Sequence, residues 1–295
     1  MNSFGDIQYL YTLDEYLETL TGARRELVRD VFNVSDLALN FAKQFGQDPD
    51  PIPEIRIRSN STINAEAMPG RIYITEGLIA KCLDLSMPDG FHTTMEIPAS
   101  VVVPLPHLAL TFCLVHEYMH IARKHDECSQ ELGKSERFNL ATEFDADLCS
   151  AAVIYRLAQF FYNRSLSDRD TRTIAFFTIS WLILALPRSN VATSHSSTAE
   201  RIFCVFTKIC SLKKNPADTA DPDCACPECR EMVEHLTKAF LRISKLHPDL
   251  PLDTGEIFRQ MITGFGDGPQ KFEAAGAWEE ISDKVVEILE GPKQR

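Results

Sequence analysis

The stretch LVHEYMHIARKH, residues 114–125, decides how the rest of the chain is interpreted. At 3.6 residues per turn, His116 and His120 lie one above the other on a helix face, and Glu117 lies one step around it. Two histidines four residues apart, with a glutamate after the first, can hold a zinc ion and supply a general base. The spacing therefore predicts a metal-binding helix, and the alternative is a helix that carries histidines by chance.

The residues around this motif weigh against the chance alternative. Most of them are apolar, namely Leu108, Leu110, Phe112, Leu114, Val115, Met119, Ile121 and Ala122. A largely buried helix should not carry two imidazoles and a carboxylate without partners. Cys113 lies one turn before His116 and could face the metal, but a small buried core residue is the expected role.

A further ligand is expected on the next predicted helix, because a catalytic zinc site takes three protein ligands. The segment ATEFDADLCSA, residues 141–151, places Glu143 and Asp147 four residues apart on one face, with Asp145 pointing elsewhere. We predict that Glu143 is the third ligand and that Asp147 hydrogen-bonds the outer nitrogen of a liganding histidine. The alternative is a solvated acidic helix face.

Composition narrows the class of protein. A chain of 295 residues with 44% hydrophobic and 24% charged content fits one large globular domain or two small ones. The net charge of −12 argues against nucleic acid or an anionic membrane as the main partner. Nine scattered cysteines and an N-terminus without a secretory pattern predict a soluble cytoplasmic protein. The apolar run at residues 174–187 is too short for a membrane span and predicts a buried helix, with weak membrane association as the alternative.

Periodicity predicts an α+β fold that is mainly helical, with a small sheet beside the histidine helix. Residues 8–46 have helical spacing, whereas EIRIRS (54–59) and GRIYIT (70–75) alternate as strands do. Residues 84–106 contain four prolines and predict an irregular connection, which is either a lid or site rim or an ordinary surface insertion. Further helices are predicted at 107–125, 136–162, 171–187, 197–212, 228–246, 254–264 and 276–290.

The Pro, Asp and Ala rich stretch after residue 212 is the best candidate boundary. We predict a catalytic domain over 1–212, a linker or Cys-rich knuckle over 213–227, and a C-terminal helical extension over 228–295. Cys224, Cys226 and Cys229 resemble half of a structural zinc site, which predicts a possible second Zn(2+). Its fourth ligand would be His235, Cys210 or Cys204, and free thiols or a redox pair are the alternatives.

The sequence HEYMHIARKH followed by EFDAD resembles the gluzincin peptidases of the HtpX-like and CAAX-protease-like group, which carry HExxH on one helix and ExxxD on the next. NAEAMPGRIYITEGLI (64–79) and SHSSTAERI (194–202) are similar to two further segments of that group, in the same order. The resemblance covers about residues 55–210. It departs at Ser194 and Ser196, where the group usually has threonine and proline.

The resemblance implies a zincin-like fold and a zinc metalloendopeptidase that hydrolyses peptide or protein substrates through a zinc-activated water. The chain departs from the membrane-bound members of the group, because it lacks their long transmembrane helices, and we expect it to be soluble. One Zn(2+) would be held by His116, His120 and Glu143, with Glu117 as the general base. A non-catalytic metal-binding regulatory or interaction protein on the same scaffold is the alternative from a different class. A narrow-specificity host-defence protease is a further alternative within the enzyme class.

The remaining site residues also come from the resemblance. It implies that His195 stabilises the oxyanion and that Arg201 orients His195 or the Glu143 region, against a helix N-terminal residue and a surface cation as alternatives. Asn64, Ala65 and Ala67 would belong to an edge strand that binds an extended peptide, or to an ordinary hairpin. His125 matches a commonly basic position, but at i+5 from His120 it is expected to face away from the metal and is assigned no catalytic role.

Overall fold

The computed structural model describes residues 9–43, 52–162, 165–186, 198–214, 227–246 and 273–290. Over these residues the fold is α+β and mainly helical, with one small sheet, which confirms the predicted fold class. The helix predicted at 254–264 lies outside the described residues.

The sheet has four strands, β1 (Leu10–Tyr11), β2 (Glu54–Arg58), β3 (Ala65–Met68) and β4 (Arg71–Thr75), in the order β1-β2-β4-β3. The two strands predicted from alternation, β2 and β4, form the parallel central pair, and both outer pairings are antiparallel. Apolar and polar residues alternate along these strands because only one face of the sheet is buried, and that face carries Ile57, Ile72 and Ile74. Strand β3 is an edge strand, joined to β4 through Gly70, which adopts a positive φ of 71°.

The helices are α1 (Leu13–Thr19), α2 (Gly22–Ala42), α3 (Glu76–Leu83), α4 (Phe91–Met95), α5 (Leu105–Ala122), α6 (His125–Leu132), α7 (Glu136–Tyr162), α8 (Asp168–Ala185), α9 (Thr198–Ser211), α10 (Pro227–Leu246) and α11 (Glu273–Glu290). The single helix expected over 8–46 is instead a short strand and two helices. The break has a local cause, because Leu20 and Thr21 are extended and Gly22 has a positive φ of 55°.

Helix α5 lies at the centre of the fold. It packs against α2, α7, α8 and β3, and its side chains are buried almost without interruption from Leu108 to Met119. Helix α7, which follows after the short α6, packs directly on α5. The two helices that carry the predicted metal ligands are therefore neighbours in the core.

The apolar run at 174–187 falls mainly on α8, which is buried without a break from Thr171 to Ile183. The run therefore forms a core helix, because α7, α9 and α10 all pack against it. In the part of the chain that the structure describes, no helix combines the length and the apolarity that a membrane crossing requires.

The connection at 84–106 is only partly irregular, since it contains helix α4. Phe91 packs on Phe177 of α8 with ring centroids 4.6 Å apart, and Phe91 and Met95 are buried. Glu96, in a left-handed conformation with φ of 58°, forms ion pairs with Arg169 and Arg242. These contacts fasten the segment to α8 and α10.

The described helices of the C-terminal extension pack on the helices of the site. Helix α10 contacts α4, α8 and α9, and α11 contacts α6 and α7. Buried Cys128 and Phe138 form a small apolar cluster with Val285 and Leu289 of α11. The proposed domain boundaries remain predictions.

Candidate metal centre

Helices α5 and α7 bring three candidate metal-binding side chains to one point. His116 Nε2 lies 3.1 Å from Glu143 Oε2 and 3.3 Å from His120 Nε2, and His120 Nε2 lies 3.6 Å from Glu143 Oε1. His116 is buried, whereas His120 and Glu143 are partly exposed. Among the described residues, these three form the group of His, Cys, Asp and Glu side chains that is close enough to share an ion.

The spacing and chemistry of this group fit a zinc ion. Ligand atoms at zinc bonding distance in a tetrahedral site stand roughly 3.3 Å from one another. The three separations of 3.1, 3.3 and 3.6 Å lie around that value. Two imidazole nitrogens and a carboxylate are also a donor set found in catalytic zinc sites, which take three protein ligands and keep a further position open.

The outer nitrogen of His116 is held by Asp147. His116 Nδ1 lies 3.0 Å from Asp147 Oδ1, and Arg201 on α9 donates from Nε and Nη2 to the two carboxylate oxygens at 2.7 and 2.8 Å. Burial alone would raise the pKa of Asp147, but the charge and hydrogen bonds of Arg201 and the nearby His116 ring hold that pKa well below its ordinary value. Asp147 is therefore an ionised carboxylate that turns His116 Nε2 toward the other two ligands.

The protonation of His116 follows from the same contacts. Burial alone would lower the pKa of His116, but the hydrogen bonds and charges of Asp147 and Glu143 raise it well above its ordinary value. Without metal, the raised pKa favours the protonated His116 ring between the two carboxylates. A metal ion that binds here must displace that proton.

His125 lies against the outer nitrogen of His120, whereas the expected helix would have turned it away; the absence of a catalytic role for His125 remains a prediction. His125 Nδ1 is 2.9 Å from His120 Nδ1, and its Nε2 is 3.2 Å from Asp145 Oδ2. The reason is a break in the helix predicted over 107–125. Helix α5 ends at Ala122, and the left-handed Lys124, with φ of 50°, returns the chain toward the site.

Asp145 is a second residue beside the candidate site whose contacts were not predicted from the sequence. It points away from the three ligands, as expected, but accepts hydrogen bonds from Arg123 Nε at 2.8 Å and Nη2 at 3.3 Å and contacts His125. Burial alone would raise its pKa, but the hydrogen bond to His125 and the charge of Arg123 lower it. The sequence feature that could have indicated these contacts was His125, the third histidine of the motif. An uninterrupted helix would have placed it on the side away from His120.

The other predicted residues lie on α5 itself and at strand β3, which packs against α5. Glu117 follows His116 on α5 and is half-buried. Strand β3, with Ala65 and Ala67, packs on α5. The carbonyl of Asn64 accepts a hydrogen bond from the Thr75 N–H, and the Asn64 N–H donates to Thr75 Oγ1, so its main chain faces β4.

The antiparallel ladder then determines which main-chain groups face outward. Because hydrogen-bonded and non-hydrogen-bonded pairs alternate, a bonded pair at Asn64 and Thr75 places Ala65 and Ala67 at the alternate positions. Their N–H and C=O groups point away from β4, toward the open edge of the sheet. The main chains of Ala65 and Ala67 are thus placed to pair with an added strand, whereas the main chain of Asn64 pairs with β4. A substrate-binding role for Asn64, Ala65 and Ala67 remains a prediction.

Several predicted residues fall outside what the structure describes. His195, Cys224 and Cys226 lie outside the described residues, as does the side chain of Cys229 at the start of α10. Of the suggested fourth ligands, His235 is buried with its Nε2 2.7 Å from Thr173 Oγ1, and burial lowers the pKa of His235 to about 4. Cys204 is buried and Cys210 is half-buried, and both lie on α9. A second zinc site remains a prediction.

Comparison with known proteins agrees with an enzyme. Residues 83–218 match the family model described as Peptidase U49. This region contains α5, α7 and α9, and the three candidate metal ligands lie on the first two of these helices. No curated protein and no solved structure shows significant similarity to the chain. The family match supports a peptidase, a hydrolase whose substrates are proteins or peptides.

Proposed function

We propose that the chain is a zinc-dependent metalloendopeptidase of the gluzincin type, similar to the HtpX-like and CAAX-protease-like group. The observation that carries the proposal is the convergence of His116 Nε2, His120 Nε2 and the Glu143 carboxylate within zinc ligand spacing. The match of residues 83–218 to a peptidase family supports the same reaction class.

The partial exposure of the ligands favours a catalytic over a structural site. The side chains of His120 and Glu143 are each 18% exposed, so one side of the group is open to solvent. Structural zinc sites are typically closed by four protein ligands, whereas catalytic sites keep a position for water or substrate. Three convergent ligands with an open side match the second type.

Each residue of the site then has a distinct task. A zinc ion held by His116, His120 and Glu143 would supply a Lewis acid for the scissile carbonyl and lower the pKa of a water molecule. Glu117 is the general base that takes a proton from the attacking water and passes it to the leaving amine. Asp147 holds the His116 ring in place, and Arg201 holds Asp147. His195 remains our candidate for stabilising the oxyanion.

The edge of β3 is the proposed substrate-binding element. An extended peptide can add to an open sheet edge through main-chain hydrogen bonds. Ala65 and Ala67 present their main-chain groups at such an edge, and β3 packs against the helix that carries the ligands. A peptide bound there would cross the site in an extended conformation.

The test combines metal analysis with an unbiased substrate search. Purified wild-type protein should contain zinc that is lost in the His116→Ala, His120→Ala double variant. With a diverse peptide library read out by mass spectrometry, wild type should cleave, whereas Glu117→Gln should retain zinc and lose cleavage. Glu127→Gln, at an exposed glutamate on α6, is the matched control and should cleave like wild type. Cleavage by Glu117→Gln at the wild-type rate would rule out the assigned general base.

A further inference from the structure

We propose that His125, Asp145 and Arg123 form an orienting relay that fixes the ring and tautomer of His120 for metal binding. The inference rests on the proposed function, because it assumes that His120 is a metal ligand. It assigns positioning roles to three residues that lie behind the ligand and do not touch the metal. The argument uses the hydrogen-bond geometry, the burial of the relay and the conformation of the turn that delivers His125.

If His120 binds a metal through Nε2, its proton is on Nδ1, and this sets the direction of each hydrogen bond along the relay. Arg123 donates to both oxygens of Asp145, so the carboxylate is the acceptor for the His125 Nε2–H at 3.2 Å. In the tautomer that carries its proton on Nε2, His125 has a lone pair on Nδ1. That lone pair, 2.9 Å away, accepts the proton of His120 Nδ1–H. The Nε2 lone pair of His120 is then directed at Glu143 and His116, where the ion would bind.

The relay is buried and has a counterpart on the other ligand. The His125 side chain is 4% exposed and that of Asp145 8%. His116 is held in the same way by Asp147 and Arg201, with the carboxylate in direct contact with the ring. Both carboxylates lie on α7, two residues apart, and each meets an arginine from another part of the chain. Behind each proposed histidine ligand there is thus a buried carboxylate that is paired with an arginine.

The conformation of Lys124 supports a specific purpose for the turn. On an uninterrupted helix, His125 would lie about 140° around the axis from His120 and could not reach its Nδ1. Lys124 instead adopts the left-handed conformation, which residues other than glycine, asparagine and aspartate rarely adopt. The unfavourable backbone conformation thus occurs at Lys124, the residue whose turn brings His125 back against His120.

Helix α11 packs over the outer end of the relay. The Arg123 guanidinium lies over the Trp278 ring, 5.6 Å from its centroid. The contact limits the movement of Arg123 and gives the arginine a second partner besides Asp145. The C-terminal helix thereby contacts the relay that leads to His120.

The test measures zinc affinity by competition with a chromophoric chelator, which does not depend on catalysis. His125→Ala and Asp145→Asn should each weaken zinc binding about 10- to 100-fold relative to wild type, as loss of a residue that orients a ligand does. Asp168→Asn is the matched control, because Asp168 also accepts from an arginine, Arg172, at 2.8 Å but lies away from the site. It should bind zinc like wild type.

The turn gives a second pair of variants that leaves His125 itself in place. Lys124→Gly keeps the left-handed conformation and should retain wild-type zinc affinity, whereas the β-branched Lys124→Val should weaken it. In the zinc-loaded wild type, ¹H–¹⁵N correlation spectra should show His120 protonated on Nδ1 and His125 protonated on Nε2. A merely structural contact predicts neither this pair of tautomers nor the dependence on residue 124.

The outcomes separate the relay from the proposed function. Wild-type protein that binds no zinc would overturn both. Wild-type protein that binds zinc while His125→Ala, Asp145→Asn and Lys124→Val bind it equally well would overturn the relay alone. A His125 ring protonated on Nδ1 would also overturn it, because His125 would then donate to His120.

Discussion

Arg201 on α9 donates hydrogen bonds to both carboxylate oxygens of Asp147 on α7, at 2.7 and 2.8 Å. It thereby fixes the position of the carboxylate that contacts His116. The two residues are 54 positions apart in the chain, and both are largely buried. Because the pair lies behind a predicted ligand, it connects the stability of the helix packing to the geometry of the site.

Replacing Arg201 with methionine is expected to destabilise the protein strongly. The substitution leaves Asp147 as a buried carboxylate without its arginine, which typically costs about 3–5 kcal/mol. Urea unfolding of the metal-free protein measures the loss. Arg29→Met, which removes an exposed pair with Glu26, is the control and should cost about 0–1 kcal/mol. Equal losses in both variants would show that the buried pair does not carry the stability assigned to it.

The same pair makes stability depend on acid pH. The folded pKa of Asp147 lies well below the unfolded value of about 3.9, so its contribution is present above that pH and is lost progressively as the pH falls below it. The difference in unfolding free energy between wild type and Asp147→Asn should therefore shrink below about pH 4. A difference that stays constant from pH 3 to pH 7 would contradict the lowered pKa.

Zinc binding is expected to release protons. The raised pKa of His116 means that its protonated form stabilises the metal-free fold below about pH 6.5 and that this contribution is lost as the pH rises through the folded value. Zinc requires the neutral ring, so its affinity should rise over the same interval. Calorimetric titrations in two buffers of different ionisation enthalpy measure the protons released. Identical binding heats in both buffers would count against a protonated His116.

The open edge of β3 makes a prediction about substrate. Ala67→Pro removes an N–H that points away from β4, so the β3–β4 ladder should survive while one hydrogen bond to the peptide is lost. We expect KM to rise about 3- to 10-fold, the equivalent of one net hydrogen bond. Ala67→Val keeps the N–H and should leave KM near that of wild type. An unchanged KM in Ala67→Pro would indicate that substrate does not pair with this edge.

Gly77 is expected to tolerate no side chain. A Cβ at this position would stand 2.3 Å from the carbonyl oxygens of Ser61 and Thr62, in the loop that leads into β3. Gly77→Ala should therefore destabilise the protein by about 1–3 kcal/mol through overpacking, as thermal unfolding would show. Gly276→Ala on α11 is a suitable control, since a Cβ there would meet only the end of the Arg137 side chain, at 3.9 Å. Equal stability of Gly77→Ala and wild type would mean that the loop can move aside.

Local patterns accounted for the parts of the site that lie within one element. The helix spacing of His116 and His120, and that of Glu143 and Asp147, depends only on 3.6 residues per turn, so it was predictable before the fold was known. Strands β2 and β4 were predictable for the same reason, because their one buried face imposes alternation. The peptidase class, which the family match supports, followed from those motifs and from the resemblance they carry.

Contacts between distant elements were decided by the tertiary structure alone. No periodicity marks Lys124 as left-handed, and without that turn helical geometry places His125 away from His120. Arg201 likewise became the partner of Asp147 only when α9 packed on α7. The sequence by itself determined which side chains share a helix face, because that depends on local backbone geometry. Tertiary structure decided which of those faces meet, because that depends on the packing of the whole core.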